Sequence, residues 1–468
     1  MNESGALGAL AQAISGDLIL PGAPRYDEAR QVFNAMHDKR PAAIVRCGGT
    51  EDVVTAVDFA REHGLVLAVR GGGHSVAGFS VCDGGLVIDL SGLNGIAVDP
   101  LTKTARAGGG ALWGEFDAAT QELGLHTPGG RVTTTGIGGF TTGGGYGWTS
   151  SKHGLACDNL ISAEVVLADG SVVTASEHEN EDLFWGIRGG GGNFGIVTEF
   201  EFQLHELGPI VLAGLALWPI ERAPEVMRAW RDYVDVAPDE LSTGCVVLTA
   251  PPEEFVPDHL KGRTALGMAV LYVGDPELGA AVVQPLKHLR PAVDLIQPMP
   301  YTAFQGMLDP SAPPGKRSYW RGEYLGGLSD AAIDTFLAHA PALAAGGAPL
   351  SQVALFRIGQ GVAATPDDAT AFSHREADYL FHPISVWDDP ADDERLIAAN
   401  RAFCQAMRPH TTGGAYLNFS PEARVRDAYG AAKHARLVEL KDRYDPENLF
   451  RLNQNIEPSK RAEESALA

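Results

Sequence analysis

The chain is short of cysteine, of basic charge and of long apolar runs, and each shortage excludes a class of protein. Its 468 residues carry five cysteines: Cys47, Cys82, Cys157, Cys245 and Cys404. No two form a C-x-x-C pair, which excludes a zinc knuckle or a thioredoxin-like site. An odd, dispersed set also argues against a disulfide framework and fits a reducing, cytoplasmic setting. The 36 basic residues against 59 acidic ones leave a net charge of −23. Such a surface repels phosphate backbones and anionic bilayers, so neither nucleic acid nor membrane is an expected partner. No apolar stretch approaches the ~18 residues that suggest a transmembrane helix. Met1 to Leu20 shows no basic start followed by an apolar block, so no signal peptide is visible. Neither H-E-x-x-H nor G-x-x-x-x-G-K-[ST] occurs.

Glycine is abundant instead. There are 56, crowded into Gly71–Gly73, Gly108–Gly110, Gly129–Gly147 and Gly189–Gly195. Glycine clusters mark backbone held where other residues are strained, or backbone pressed against a ligand. Segments with strand and helix patterns abut each cluster, which argues against a flexible linker.

Residues 42 to 70 read as strand, helix, strand. Ala43-Ile44-Val45 is a short apolar strand, and Thr50 is placed to cap a helix that ends at Gly64. Leu65 to Val69 is a continuous apolar run, fit for a strand buried on both faces. Further strands are expected at Leu86–Leu90, Thr104–Ala107 and Ile161–Leu167, with a hairpin turn at Asp169-Gly170. Leu112 to Leu123 reads as a helix with Trp113, Phe116 and Leu123 on its apolar side. From Ile210 the glycine density falls. Strands are expected at Val211–Trp218, Gly244–Leu248, Thr264–Tyr272 and Ser351–Ile358. Helices are expected at Pro224–Val234, Ala331–Ala340 (ended by Pro341), Arg395–Met407 and Arg424–Asp442. The fold class is α+β: a domain over 1–205 (core 37–207), a second with an antiparallel sheet covered by helices over 206–408, and a C-terminal segment, 409–468, returning to the first.

Three motifs carry chemistry. Gly190-Gly191-Gly192-Asn193-Phe194-Gly195 matches G-x-G-x-x-G, but a dinucleotide fingerprint must open a helix. Here Ile196 to Phe202 follows, β-branched and alternating, so a Rossmann fold is rejected. Arg70-Gly71-Gly72-Gly73-His74-Ser75 ends a buried strand, and three glycines can aim successive N–H groups at one anion. Taken alone, this segment reads first as a tight turn with a surface histidine. Thr127 to Gly147 combines glycines and threonine hydroxyls with Ile137, Phe140, Tyr146 and Trp148, which a solvated loop would not need.

These motifs, in this order, resemble those of FAD-linked oxidases of the vanillyl-alcohol-oxidase superfamily (a PCMH-type FAD-binding domain), berberine-bridge-enzyme-like branch. The run continues through Lys152-His-Gly-Leu-x-x-Asp158-Asn159-Leu160, Tyr416-x-Asn418 and Asp445-Pro446-x-Asn448-x-Phe450-Arg451-x-Asn453-Gln454-Asn455. The resemblance covers nearly the whole chain.

It implies that FAD is held by Arg70, Gly71, Gly72, Gly73, Ser75 and Gly78. It adds Pro128, Gly129, Thr134, Thr135, Gly138, Gly139, Gly143, Gly144 and Gly145 from the second loop. It also adds Gly192, Gly195, Ile196 and Val197, then Asn418, Asn453 and Asn455 from the tail. In the family, the histidine matching His74 is attached to the flavin 8α-methyl. Many relatives add a cysteine link in a G-G-x-C run, but Val132 stands in that slot here, so a single link through His74 is expected, with no metal. Tyr416 matches the tyrosine that serves several relatives as catalytic base. Other relatives use a carboxylate on the strand matching Ser351 to Ile358, which has none here. Thr135 matches a position bearing on oxygen access. His374-Arg375 matches a family pair and is read as structural, while Trp320 and Tyr324 suit either an aromatic pocket wall or sheet packing.

The implied activity is hydride transfer from a small organic substrate to the flavin, with O₂ as acceptor, by a monomer or homodimer. The alternatives are an oxygenating flavoenzyme or dehydrogenase of secondary metabolism, and a flavin carrier without turnover. Sugars, hydroxylated N-heterocycles, alkaloids and polyketide-like aromatics all remain open as substrates.

Overall fold

The short parallel strands after each apolar run build the first layer. In the computed structural model, which describes residues 3–347, 349–422 and 424–461, Ala43–Arg46, Leu86–Asp89 and Leu67–Arg70 pair in parallel, with Asp17–Ile19 antiparallel at the edge. Helix Thr50–Glu62 packs Val53, Ala56, Val57 and Ala60 onto it. A five-stranded antiparallel sheet follows in the order Ile96–Asp99, Thr104–Gly108, Ile196–Gln203, Leu160–Val166, Val172–Ser176. The strand that begins at Ile196 is central, so the G-x-G-x-x-G run leads into a sheet and not into a helix.

From Ile210 onward the chain forms one nine-stranded antiparallel sheet. Its long members are Ile210–Pro219, Thr264–Tyr272, Leu241–Thr249, Gln352–Arg357 and Tyr379–Trp387. Side chains alternate across such a sheet. Val353, Leu355, Tyr379 and Phe381 face helices Ala223–Val234, Asp330–Gly346 and Asp393–Met407, burying Trp218, Trp230, Phe336 and Phe403. Ala354, Phe356 and Leu380 face the opposite way, packing with Tyr146, Trp148 and Tyr416. A one-residue slip in register would exchange the two sets. This second face, which carries only short helices such as Tyr301–Gln305, therefore looks onto the glycine-rich part of the chain.

Several local expectations are corrected. Thr50 does not cap: Gly49 holds the N-cap position, and the Thr50 hydroxyl donates to Glu164 Oε1 at 2.7 Å. Leu123 lies beyond helix Trp113–Gln121 and is 48% exposed. Pro341 does not end its helix, which runs Asp330–Gly346. Burial of Leu343 and Ala344 under the sheet outweighs the ~3 kcal/mol an interior proline costs. The last helix, Val425–Tyr444, is broken at Gly430 (φ 68°). Strand Tyr379–Trp387, not among the expected strands, pairs on both sides in spite of Pro383. Residues 1, 2 and 462–468 of the expected segments lie outside the described residues.

A buried histidine cluster lies beside the first sheets. His153 and His205 stack at 4.0 Å between ring centroids, and His126 lies tilted against both at 5.2 and 5.9 Å. Neither nitrogen of His126 has a partner. Burial drives all three down, His153 to about 3, and does the same to His382. Unfolded histidine binds its proton near pH 6.5 while these stay neutral, so the unfolded state gains protons first on acidification. Stability is therefore present above pH 6.5 and is lost as pH falls from there toward 3. Buried Asp117, pushed up to about 7 by desolvation, acts oppositely, being protonated in the fold while the unfolded carboxyl is ionised. The histidines lowered by burial, which also include His37, His74 and His434, outnumber the one carboxyl, so the urea midpoint should fall steadily from pH 7.5 to 5. Asp117→Asn removes the opposing contribution and should steepen that fall. A flat profile across this range would contradict the assignment.

Candidate active site

One cavity of about 1210 Å³ opens between the glycine-rich loops and the face of the large sheet opposite its long helices. A typical small-molecule pocket occupies roughly 300–1,000 Å³, so this one has room for a dinucleotide and a second ligand. Of the residues predicted to hold a cofactor, Gly71, Gly72, Gly73, His74, Ser75, Thr135, Gly138, Gly139, Gly143, Gly192, Gly195, Ile196, Val197, Asn418 and Asn453 line it.

The others lie behind the wall. Arg70 is committed to structure: Nη2 bonds Asp89 Oδ2 at 2.7 Å, and Nη1 reaches the Ala29 carbonyl. Gly78 packs against the His37 ring, and Gly129 against Trp113. Pro128 and Asn455 are likewise absent from the lining, as are Gly144 and Gly145. Thr134 supports from outside, its Oγ1 lying 2.8 Å from His74 Nε2. With Nε2 so engaged and the ring stacked on Phe33 (4.1 Å), His74 has Nδ1 left for the cavity. Burial lowers its pKa to about 4, which keeps the imidazole neutral.

Tyr416 does not line the cavity either, although Leu417, Asn418, Phe419 and Ser420 do. Its Oη accepts from the backbone N–H groups of Gly145 (3.2 Å) and Tyr146 (3.0 Å) and from Asn418 Nδ2 (3.1 Å). Positive φ at Gly144 (108°) and Gly145 (86°) turns this backbone toward the phenol, a conformation that favours glycine. Burial raises the Tyr416 pKa, and the three donors pull the other way.

The loops fit FAD by two observations. A Cβ on Gly72 would lie 2.3 Å from Gly136 N, so two glycine loops meet backbone to backbone and leave the cavity floor free of side chains. Asn453 Oδ1 and Gln454 Oε1 are buried, line the cavity and have no partner, so they are free to accept N–H groups from a ligand. The tail carrying them is pinned by Lys441, which donates to Asn193 O (2.8 Å), Phe450 O (2.8 Å) and Asp445 Oδ2 (2.7 Å).

Sequence reasoning missed two groups. Arg131 lines the cavity between Tyr146, Trp148 and Phe356. It sits one residue before Val132, at the x of the G-G-x-C-type run, a position whose residue type the motif does not specify. His382 lies on the unassigned strand, with Nδ1 2.7 Å from the Arg321 carbonyl. Thr135, Val132 and Trp320 line the cavity; Tyr324 instead packs on His374 at 5.3 Å. Arg375 makes a bidentate pair with Asp158 (2.9 and 2.6 Å), a structural tie.

A side-chain-free glycine cradle with a neutral imidazole in its wall, closed by a sheet from a second unit, defines the class as an FAD-dependent oxidoreductase. Comparison with known proteins gives the family. Residues 41–176 match the FAD binding domain model, and residues 415–457 the berberine and berberine-like model. The chain is 30% identical over 461 residues to the FAD-linked oxidoreductase YvdP of Bacillus subtilis, covering 96% of this chain and 99% of that one. It is 29% identical over 466 residues to (R)-6-hydroxynicotine oxidase of Paenarthrobacter nicotinovorans, covering 95% and 97%. Among solved structures, 6-hydroxy-D-nicotine oxidase from Arthrobacter nicotinovorans superposes with TM-score 0.82 at 26% identity, covering 95% and 98%. Glucooligosaccharide oxidase from Acremonium strictum, described with a 6-S-cysteinyl, 8α-N1-histidyl FAD, gives 0.84 at 25%, covering 97% and 99%. This chain belongs to the family of FAD-linked oxidoreductases with a berberine-bridge-like C-terminal region.

The Lys441–Asp445 pair is fully buried on both sides. Removing one partner of such a pair leaves an uncompensated charge and costs about 3–5 kcal/mol. Lys441→Met should therefore lower the urea-unfolding free energy by about that much, and Lys441→Met with Asp445→Asn should recover part of it. A loss below about 1 kcal/mol in the single variant would show that the tail does not depend on this pin.

Proposed function

We propose that the chain is an FAD-dependent oxidase, with the flavin tethered through His74 alone and electrons passed to O₂ to give H₂O₂. The observation that carries the reading is His74, neutral and held by Thr134, with its second nitrogen available to the cavity. Bound FAD would supply the two-electron acceptor for a hydride from the substrate carbon.

The chain's own residues do the rest. Gly71–Gly73, Gly138, Gly139 and Gly143 offer a backbone surface close enough to hold the cofactor. Asn453 and Gln454 present amide oxygens that orient it. Val132 occupies the thioether slot, and none of the five cysteines lines the cavity, which favours one link. Thr135, small and in the wall, leaves a path for O₂.

Tyr416 takes the substrate's O–H or N–H proton. Tyr416 is buried behind the wall, and Tyr146 and Asn418, two cavity residues whose N–H groups bond its oxygen, stand between it and the cavity, so proton transfer requires the substrate to come in against them. Burial holds the Tyr416 pKa up, the three N–H donors act against that rise, and the Arg131 guanidinium adds positive charge nearby. No Asp or Glu occurs on Gln352–Arg357 to compete. The cradle falls within 1–205, the covering sheet within 206–408, and the segment from 409 returns Tyr416 and Asn453 to the cradle.

Anaerobic addition of an oxidisable substrate should bleach the yellow protein, and air should restore it with release of peroxide. Recovery without peroxide would favour an oxygenase, and no bleaching with any substrate class a mere carrier. On a denaturing gel the wild type should keep flavin fluorescence, and His74→Ala should lose it. Flavin washing out of denatured wild type would overturn the tether. Tyr416→Phe should slow flavin reduction about 10²–10⁴-fold, the usual value of general base catalysis, with little change in the flavin spectrum. An unchanged rate would leave Tyr416 a packing residue.

A further inference from the structure

Arg131 is a buried cation for which the fold provides no counter-charge. It is 9% exposed, and among the described residues it makes no ion pair with a carboxylate. The guanidinium carbon lies 3.9 Å from the Phe356 ring centroid, 4.3 Å from Tyr146 and 4.6 Å from Trp148. Those rings fix its plane and replace part of the lost hydration. Its five N–H donors are poorly served. Nη2 reaches the Gly147 carbonyl at 3.3 Å, and Nε is buried with no partner. The Tyr146 hydroxyl gives its own proton to the Arg357 carbonyl oxygen at 2.8 Å, and its oxygen accepts from the guanidinium as a neutral partner that brings no counter-charge.

The other ionisable groups of the wall do not answer this charge. Lys316 is paired with Asp388 at 2.6 Å, and Glu253 is exposed to solvent. His382 is neutral. An isolated buried charge is costly unless something pairs it, and arginine does not shed its proton in proteins. The missing partner must therefore arrive with a ligand. A carboxylate matches the donor fork in a bidentate, charge-assisted pair, and the flanking Trp148 and Phe356 favour an aromatic or unsaturated body beside it. Against a net charge of −23, long-range attraction does not explain uptake of an anion. The preference must be local, within the ~8 Å that salt leaves unscreened.

We propose that Arg131 is the substrate-anchoring residue and that the substrate class is a small, planar organic acid bound through its carboxylate. This rests on the oxidase reading and narrows it. The test uses benzoate against benzamide and phenylacetate against phenylacetamide, pairs alike in shape and unlike in charge. Binding to the holoenzyme is followed by calorimetry and by perturbation of the flavin spectrum. The wild type should bind each acid at least tenfold more tightly than its amide. Arg131→Met should erase that preference, and Arg131→Lys should keep an intermediate one. Equal binding of acid and amide in the wild type, or no binding of either, overturns the proposal. A preference that survives Arg131→Met overturns it too. So does an Arg131→Met variant that moves only the flavin midpoint potential or the pH–rate profile, which would assign the charge to the cofactor or to Tyr416. Protein that carries no flavin refutes the oxidase reading separately, because calorimetry of acid against amide still judges Arg131.

Discussion

The architecture turns on one phenol oxygen. Tyr416 Oη receives N–H groups from Gly145, Tyr146 and Asn418, and the first two lie some 270 residues earlier in the chain. That contact docks the C-terminal segment against the glycine loop. It also sets which side chains border the cavity, since Asn418, Phe419 and Ser420 follow directly. The same spot tolerates no bulk: a Cβ on Gly143 would stand 2.0 Å from Asn418 Oδ1. Glycine in this loop serves close approach between chain segments as much as contact with a ligand.

That dual use explains what the sequence made legible. Glycine clusters, apolar runs and the Asp445-Pro446-x-Asn448 tail are local patterns, and they announced the two glycine loops, the strands around them and the family. What escaped depends on contacts between distant residues. Nothing local separates Gly143, which lines the cavity, from Gly144 and Gly145, which support it from behind. Arg70 reads like an anion ligand beside three glycines, yet Asp89 on the adjacent parallel strand claims it. Strand Tyr379–Trp387 carries Pro383, which weakens its local signal, and is held by neighbours on both sides. His382, carried on that strand, was missed with it.

The two faces of the large sheet divide the labour. The helix-covered face is a conventional apolar core of Trp230, Phe336, Phe381 and Phe403. The other carries Gly244, Val246, Ala354, Phe356 and His382 into the cavity. Alternation along a strand lets this second set vary without disturbing the first. The cradle has no such freedom, because its glycines interlock backbone to backbone. Substrate preference is therefore expected to be written on the sheet, and cofactor retention on the loops.

Arg131 is where those two inscriptions meet. It belongs by sequence to the cradle loop, but Phe356, on the sheet, supplies the nearest of its three rings. A guanidinium in that position is held by packing and not by charge, so the fold bears the cost of desolvating it in every molecule, liganded or not. A site that served only to hold the glycine loop in place would be better filled by an apolar side chain of similar volume, since replacing buried charge by well-packed hydrophobe is often neutral or stabilising. The retained charge makes physical sense when it acts on something that enters the cavity. The same argument separates Arg131 from Lys441 and Arg375, whose buried charges are answered by Asp445 and Asp158 within the fold and need no ligand.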